Sequence, residues 1–224
     1  VPLSWIYKIL LRLPEQTTRR ELLEMLPDED LETLFATHKP PEDGLYPIRG
    51  VVLYGLAECE RSRLFADSMK AGRVEEIGRL MNVSHDGDRV ARFGQDDSRK
   101  AYSSPTSNSY LLDLIEDLES GDPSRVLQAQ LQWQPGAYHC SIPEIDLMVD
   151  ISKGIEGVVG AQLAGAGLGG CMMVYACRDA VRELRERLTE RYYKVYGKPV
   201  SIMLCQPIAG SGVLLSNGKG RTAL

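Results

Sequence analysis

The chain has 224 residues, 43% hydrophobic and 25% charged, with a net charge of −5. That length can bury one large core or two small ones, and the composition is that of an ordinary globular protein. The acidic balance, with no lysine- or arginine-rich stripe carrying interleaved aromatics, excludes an electrostatic case for nucleic acid, and no run of eighteen apolar residues could span a bilayer.

The opening VPLSWIYKILLRL is interrupted by Lys8 and Arg12 and reads as an amphipathic helix packed on the body rather than a signal peptide. The start at Val1 rather than methionine suggests processing or truncation. Thr18 and Glu21 have capping-box spacing ahead of Leu22, Leu23 and Leu26, and Asp28 can cap a short helix carrying Leu31, Leu34 and Phe35. His38 to Gly44 is a breaker-rich connection. A long helix is expected from Tyr46 to Lys70, with Val52, Leu56, Cys59, Phe65 and Ala66 along its apolar side. Gly72 separates it from an amphipathic segment at Val74–Met81.

Asp, Gly, Ser, Pro and Asn dominate 86–109, which therefore reads as a long, mobile loop. Helical spacing resumes at Tyr110, Leu111, Leu112, Ile115 and Leu118. Asp122-Pro123 is a cap with proline at the first helical position, and Ser141-Ile142-Pro143-Glu144 repeats capping-box logic before Ile145, Met148 and Val149. The last third changes character. Strands are expected at Val158–Leu163, Cys171–Cys177 and Val200–Cys205, with a helix over Asp179–Tyr196 between the last two. That order predicts an α+β fold, a small sheet covered by helices.

Between the first two strands lies Gly165-Ala166-Gly167-Leu168-Gly169-Gly170. Four glycines in six residues reach backbone conformations closed to other residues, and exposed N–H groups in such a loop suit phosphate. The alternative is a plain strand–strand turn. Gly165, Gly167 and Gly170 also spell G-x-G-x-x-G, but a dinucleotide fingerprint needs a helix directly after it, and the apolar run that follows reads as strand.

The cysteines at 59, 140, 171, 177 and 205 are odd in number and lack a C-x-x-C pair, which argues for free thiols in a reducing cytoplasm; Cys171 and Cys177 read as small strand hydrophobes. Other side chains admit two roles. His85 could contact substrate or phosphate, or cap helix carbonyls. Glu144 and Asp146 could hold magnesium or complement a helix dipole. His139 and Cys140 are adjacent, too close for easy joint chelation. Arg49, Arg61 and Arg63 could face a phosphate cleft or be surface charges, the reading also given to Lys194, Lys198, Lys219 and Arg221.

Several segments together resemble galactokinases and their relatives in the GHMP small-molecule kinase superfamily. They are Gly78-Arg79-Leu80-Met81-Asn82-Val83-Ser84-His85, Ser141-Ile142-Pro143-Glu144-Ile145-Asp146, Gly160 through Cys171, and Cys205-Gln206-Pro207 with Gly210-Ser211-Gly212-Val213. They occur in family order over about 46–214. The resemblance implies the superfamily's C-terminal domain over 46–224, ferredoxin-like with a mostly antiparallel sheet, preceded by a helical lead-in over 1–45 and carrying an inserted loop and helix at about 86–121. It implies transfer of the γ-phosphoryl group of ATP, with Mg2+, to a sugar hydroxyl in a cleft between two domains. Gly165, Ala166, Gly167, Leu168, Gly169 and Gly170 would line that cleft through their main chain. The family's ATP loop and catalytic aspartate lie in an N-terminal domain with no counterpart in these residues, so the resemblance implies no catalytic residue here and no activity of residues 1–224 alone. A galactokinase-like regulator that binds nucleotide and sugar without turnover is the alternative.

Overall fold

The computed structural model describes residues 1–37, 44–165 and 167–206. The chain is α+β, and every strand pair among the described residues is antiparallel and two-stranded. Helix α1 (Leu3–Leu10) buries Tyr7 and Leu10, as its amphipathic spacing predicts. Strand β1 (Thr17–Thr18) pairs with β2 (Leu45–Tyr46). Between them lie α2 (Arg19–Met25), entered through the Thr18/Glu21 capping box, and α3 (Leu31–Thr37). The cap before α3 is Asp30, whose carboxylate accepts from the backbone N–H and hydroxyl of Thr33; Asp28 lies too far upstream to reach the first helical turn.

Helix α4 (Ile48–Lys70) turns a different face inward from the one its aliphatics mark. Gly50, Leu53, Ala57, Arg61 and Ser68 are buried, whereas Val52 and Leu56 are 38% and 39% exposed. Small residues decide the matter: a β-carbon on Gly50 would lie 2.6 Å from Ala137 Cβ, so only a bare position admits that neighbour. Arg49 and Arg61, each 3% exposed, are not surface charges. Arg49 donates to the carbonyls of Leu10, Leu13 and Thr106, and Arg61 to those of Gln132 and Gln134. Arg63, by contrast, is solvent-facing and paired with Glu60.

Helix α5 (Val74–Asp88) runs past His85, and the 86–109 stretch is ordered rather than a bare loop. Strand β3 (Ala91–Phe93) pairs with β4 (Arg99–Ala101). Fully buried Arg89 fixes this hairpin, donating to Ala91 O and bidentately to Asp150 at 2.9 and 3.0 Å. Its Nε lies 3.0 Å from Asp86 Oδ1, out of line for a hydrogen bond. Composition misled here because one buried guanidinium supplies the order that few apolar residues could.

Helices α6 (Asn108–Glu119, capped by Ser107) and α7 (Pro123–Gln128, capped by Asp122) follow. In α8 (Pro143–Lys153) the N-cap is Ile142, with no side-chain cap; Pro143 suits the first helical position and pushes Ser141 outside the box expected for it. Strands β5 (Val158–Ala164) and β6 (Cys171–Ala176) form a hairpin, and α9 (Val181–Leu188) runs on into a π-turn at Thr189–Tyr193.

The third strand expected at Val200–Cys205 does not form. Those residues are extended and unpaired with the sheet, and Met203 and Leu204 are 86% and 70% exposed. The sheet therefore holds two strands among the described residues, not a ferredoxin-like layer. Cys171 and Cys177 are exposed, not buried hydrophobes. The expected connection at 38–43, Ala166, and the tail bearing Pro207, Gly210–Val213, Lys219 and Arg221 lie outside the described residues.

Two apolar clusters organise the body. One joins Tyr7, Leu10, Leu53, Leu111, Leu114 and Ile115; the other joins Ile145, Val149, Ile151, Ala161, Leu163, Leu184 and Leu188.

Candidate phosphate-facing loop and its buried support

The glycine loop joins β5 directly to β6, so no helix opens behind it and the dinucleotide reading is excluded by structure as well as by sequence. Gly165, Gly167, Gly169 and Gly170 all have positive φ, between 86° and 111°, and Leu168 joins them at 59°. At Gly165 and Gly170 a β-carbon would meet nothing within 4 Å, so their backbone is open to approach. Gly167 is the opposite case. A β-carbon there would lie 2.7 Å from Cys140 Cβ and 2.8 Å from Cys140 Sγ, so the loop is seated against the Cys140 segment. The Leu168 N–H completes the seat by donating to Cys140 O at 2.6 Å, while the Leu168 side chain stands 86% exposed.

Beneath this loop α5 takes the place of a neighbouring strand. Gly78 and Gly160 let the helix lie directly on β5: a β-carbon on Gly160 would come within 2.8 Å of Gly78 Cα. One turn and two turns further on, Asn82 and His85 share that face. Asn82 Oδ1 accepts from the N–H of Ala161 at 3.2 Å, and His85 Nδ1 accepts from the N–H of Leu163, also at 3.2 Å. An accepting Nδ1 puts the ring proton on Nε2, which lies 3.3 Å from Asp146 Oδ1 but poorly aligned with it; neither atom has another partner. His85 is thus a fully buried acceptor for the strand, not a helix-carbonyl cap or an exposed ligand.

Asp146 is equally buried and equally committed. Its Oδ2 accepts from the N–H groups of Val90 and Ala91 at 2.9 and 2.8 Å. Burial pushes its carboxyl pKa up, but His85, Ser141 and these two amides outweigh that and hold it below the ordinary carboxylate value. Glu144 sits half-buried on the first turn of α8, where its charge complements the helix dipole. Among the described residues no three His, Cys, Asp or Glu side chains gather to hold a metal ion, and Asp146 has no oxygen turned outward. These residues do not fit a magnesium site.

The segment 137–141 runs along the end of α5. The Tyr138 and His139 N–H groups donate to Gly87 O, the Ser141 N–H donates to Asp88 O, and Cys140 Sγ–H donates to Asp88 Oδ1 at 3.1 Å. His139 holds a φ of 58°, and burial lowers its pKa. Burial, with Asp88 alongside, pushes the Cys140 thiol up to about 12, so it stays protonated and inert as a nucleophile. Asp88 is raised by burial, which the hydrogen bonds from Cys140 and Tyr54 only partly offset. Asn82, Asp88, Tyr54 and Arg89 were not singled out by the sequence. The signal available for Asn82 was its spacing from Gly78 and His85, which puts the three on one helical face.

The glycine loop and its hairpin lie within the stretch that sequence comparison matches to a known family. Residues 111–194 match the family described as GHMP kinases C terminal. That match and the relatives below make the chain similar to the C-terminal, galactokinase-like part of a GHMP kinase. Similar curated proteins are each called galactokinase. That of Roseiflexus sp. (strain RS-1) is 25% identical over 182 residues, 81% of this chain and 34% of its own length. That of Streptococcus suis (strain 05ZYH33) is 27% identical over 170 residues, covering 70% of this chain and 41% of the relative. A Haemophilus influenzae protein is 26% identical over 121 residues, covering 52% and 32%. The chain thus spans about a third to two-fifths of the length of these relatives. No helix of the described residues is long and apolar enough to cross a membrane.

Proposed function

We propose that this chain is a GHMP kinase domain forming one wall of a cleft in which the γ-phosphoryl of ATP is transferred to a sugar hydroxyl, and that Gly165–Gly170 faces the phosphates. The observation that carries the reading is the loop itself. Its glycines hold left-handed conformations, and at Gly165 and Gly170 no β-carbon contact stands in the way of a close approach. A loop of that kind orients an anion through its N–H groups and supplies no proton acceptor. Phosphoryl transfer asks chiefly for positioning and charge stabilisation, so a main-chain contribution is chemically sufficient for this wall. The described residues do not fit Mg2+, so any metal the transfer needs would be held outside them.

Asp88 and Asp146, the carboxylates in the buried support of the loop, are 6% and 0% exposed and accept internal hydrogen bonds. The base and the ATP loop would come from a preceding domain, in keeping with the share of the relatives' length that the chain spans. Residues 1–224 alone should leave ATP unconsumed with a panel of hexoses and pentoses. Sugar-dependent ADP release well above background would overturn this two-domain reading. In the polypeptide carrying both domains, Gly169→Ala forces a β-carbon onto a φ of 111° with space around it. Activity per folded molecule should fall about tenfold or more, a barrier increase of about 1.4 kcal/mol, beyond the loss of melting temperature that the strained alanine itself brings. Wild-type kcat/KM in that variant would sink the phosphate-facing assignment. Saturable nucleotide and sugar binding without turnover in the two-domain protein would favour the regulator.

A further inference from the structure

Four glycines in six residues cannot hold one conformation unaided, because each has more backbone freedom to lose than any other residue. A loop that must present its N–H groups to within a fraction of an ångström therefore has to be fixed from outside. Its visible restraints lead to one place. Leu163, two residues before Gly165, is tied through its N–H to His85 Nδ1. The apex is tied through Leu168 N–H to Cys140 O, and Gly167 is pressed on the same residue. Cys140 is itself held by Asp88, through Sγ–H to Oδ1 and through the neighbouring Ser141 N–H to the Asp88 carbonyl.

We propose that His85 and Asp88, three residues apart on the last turns of α5, are the positioning residues of the glycine loop, His85 setting its approach and Asp88 its apex through Cys140. Neither is a catalytic residue, since they are 0% and 6% exposed and are hydrogen-bonded within the fold. The inference rests on the phosphate-facing reading for its functional consequence, but the mechanical link can be read without nucleotide. Burying these polar groups is costly unless each is bonded, and an apolar core would have met the packing requirement without that cost. What an apolar core could not do is accept the Leu163 N–H or hold Cys140 in register beneath Gly167.

Amide hydrogen exchange on residues 1–224 tests the link directly. His85→Gln moves the side-chain amide away from the Nδ1 position, whereas His85→Asn keeps an acceptor there. Exchange at Leu163 should rise about tenfold or more in the first and stay near wild type in the second, with Val149 in the core of α8 unchanged in both. Asp88→Ala should release Leu168 similarly, and Asp88→Asn, which keeps an acceptor for Cys140, should not. In the two-domain polypeptide, Asp88→Ala should lower kcat/KM for ATP about tenfold and Asp88→Asn should leave it nearly unchanged. Loop amides that exchange in step with Val149, or that keep full protection in His85→Gln and Asp88→Ala, would overturn the proposal. Released loop amides with unaltered ATP kinetics would uphold the positioning and overturn the phosphate-facing reading instead.

Discussion

The two ends of this molecule are held together by different means. Around Tyr7, Leu10, Leu53 and Leu111 the helices meet through apolar side chains, with Arg49 donating to the carbonyls of Leu10 at the end of α1 and of Leu13 just beyond it. Around β5 and the 89–93 segment the decisive contacts are polar and buried: His85 to Leu163, Asp146 to Val90 and Ala91, Arg89 to Asp150. Apolar packing tolerates small adjustments, because a side chain of similar volume restores most of the contact. A buried hydrogen-bond network tolerates few, because a lost partner leaves a group that water cannot reach. The polar half lies under the glycine loop, where a fixed geometry is needed.

The contrast should be sharpest at Arg89. Arg89→Ala leaves Asp150 without its fork and Ala91 O without a donor, and should cost about 3–5 kcal/mol in denaturant unfolding. Arg89→Lys should recover less than half, since one ammonium cannot reproduce the forked contacts. In the apolar half, Leu53→Ala should cost about 2–5 kcal/mol, but Leu53→Met less than about 1.5 kcal/mol. If Arg89→Lys proved as mild as Leu53→Met, the distinction between the two halves would fail.

Acidification offers a finer test, because the two buried aspartates carry opposite signs. The Asp146 pKa is lowered on folding, so its ionised form stabilises the fold above the ordinary carboxylate value, and that stability is lost as pH falls through the lowered one. Asp146→Asn should therefore be destabilising at neutral pH and approach the wild type in acid. The Asp88 pKa is raised, so its contribution is favourable in acid and is lost as pH rises through the raised value. Asp88→Asn should accordingly be more stable than wild type at neutral pH and indistinguishable from it below the ordinary carboxylate range. Melting curves across the acid limb would show the two differences closing from opposite sides.

Much of the helical framework was legible because caps and periodicity are local signals. Thr18/Glu21 and Asp122-Pro123 sit where their spacing puts them, and the hairpin flanking the glycines follows from two short apolar runs. What sequence could not display was order created by a distant partner. Residues 86–109 look like a loop because their anchors, Asp146 and Asp150, lie more than fifty residues away. The buried side of α4 was misjudged for a related reason: Gly50 and Ala57 mark it by being small, not by being apolar and large. Val200–Cys205 has the composition of a strand, but β-propensity reports fitness for a half-buried pleated surface, and these residues do not reach one. At the candidate site the glycines were visible from the start. Their support was not, since His85 and Asp146 read as possible ligands until burial showed both to be occupied internally.

The close crossing of α5 over β5 at Gly78 and Gly160 also bears on how this protein avoids its own kind. Among the described residues the β5–β6 sheet has two strands, and an outer edge is a template on which a strand from another molecule could continue the ladder. Asn82 and His85 occupy the N–H groups of Ala161 and Leu163 that such a strand would seek on the β5 side. On that side two N–H groups are taken by side chains, beside the irregularity in the ladder at Val158–Gly160. A bulkier residue at position 78 would lift the helix, free those amides and open the β5 edge to pairing with another strand.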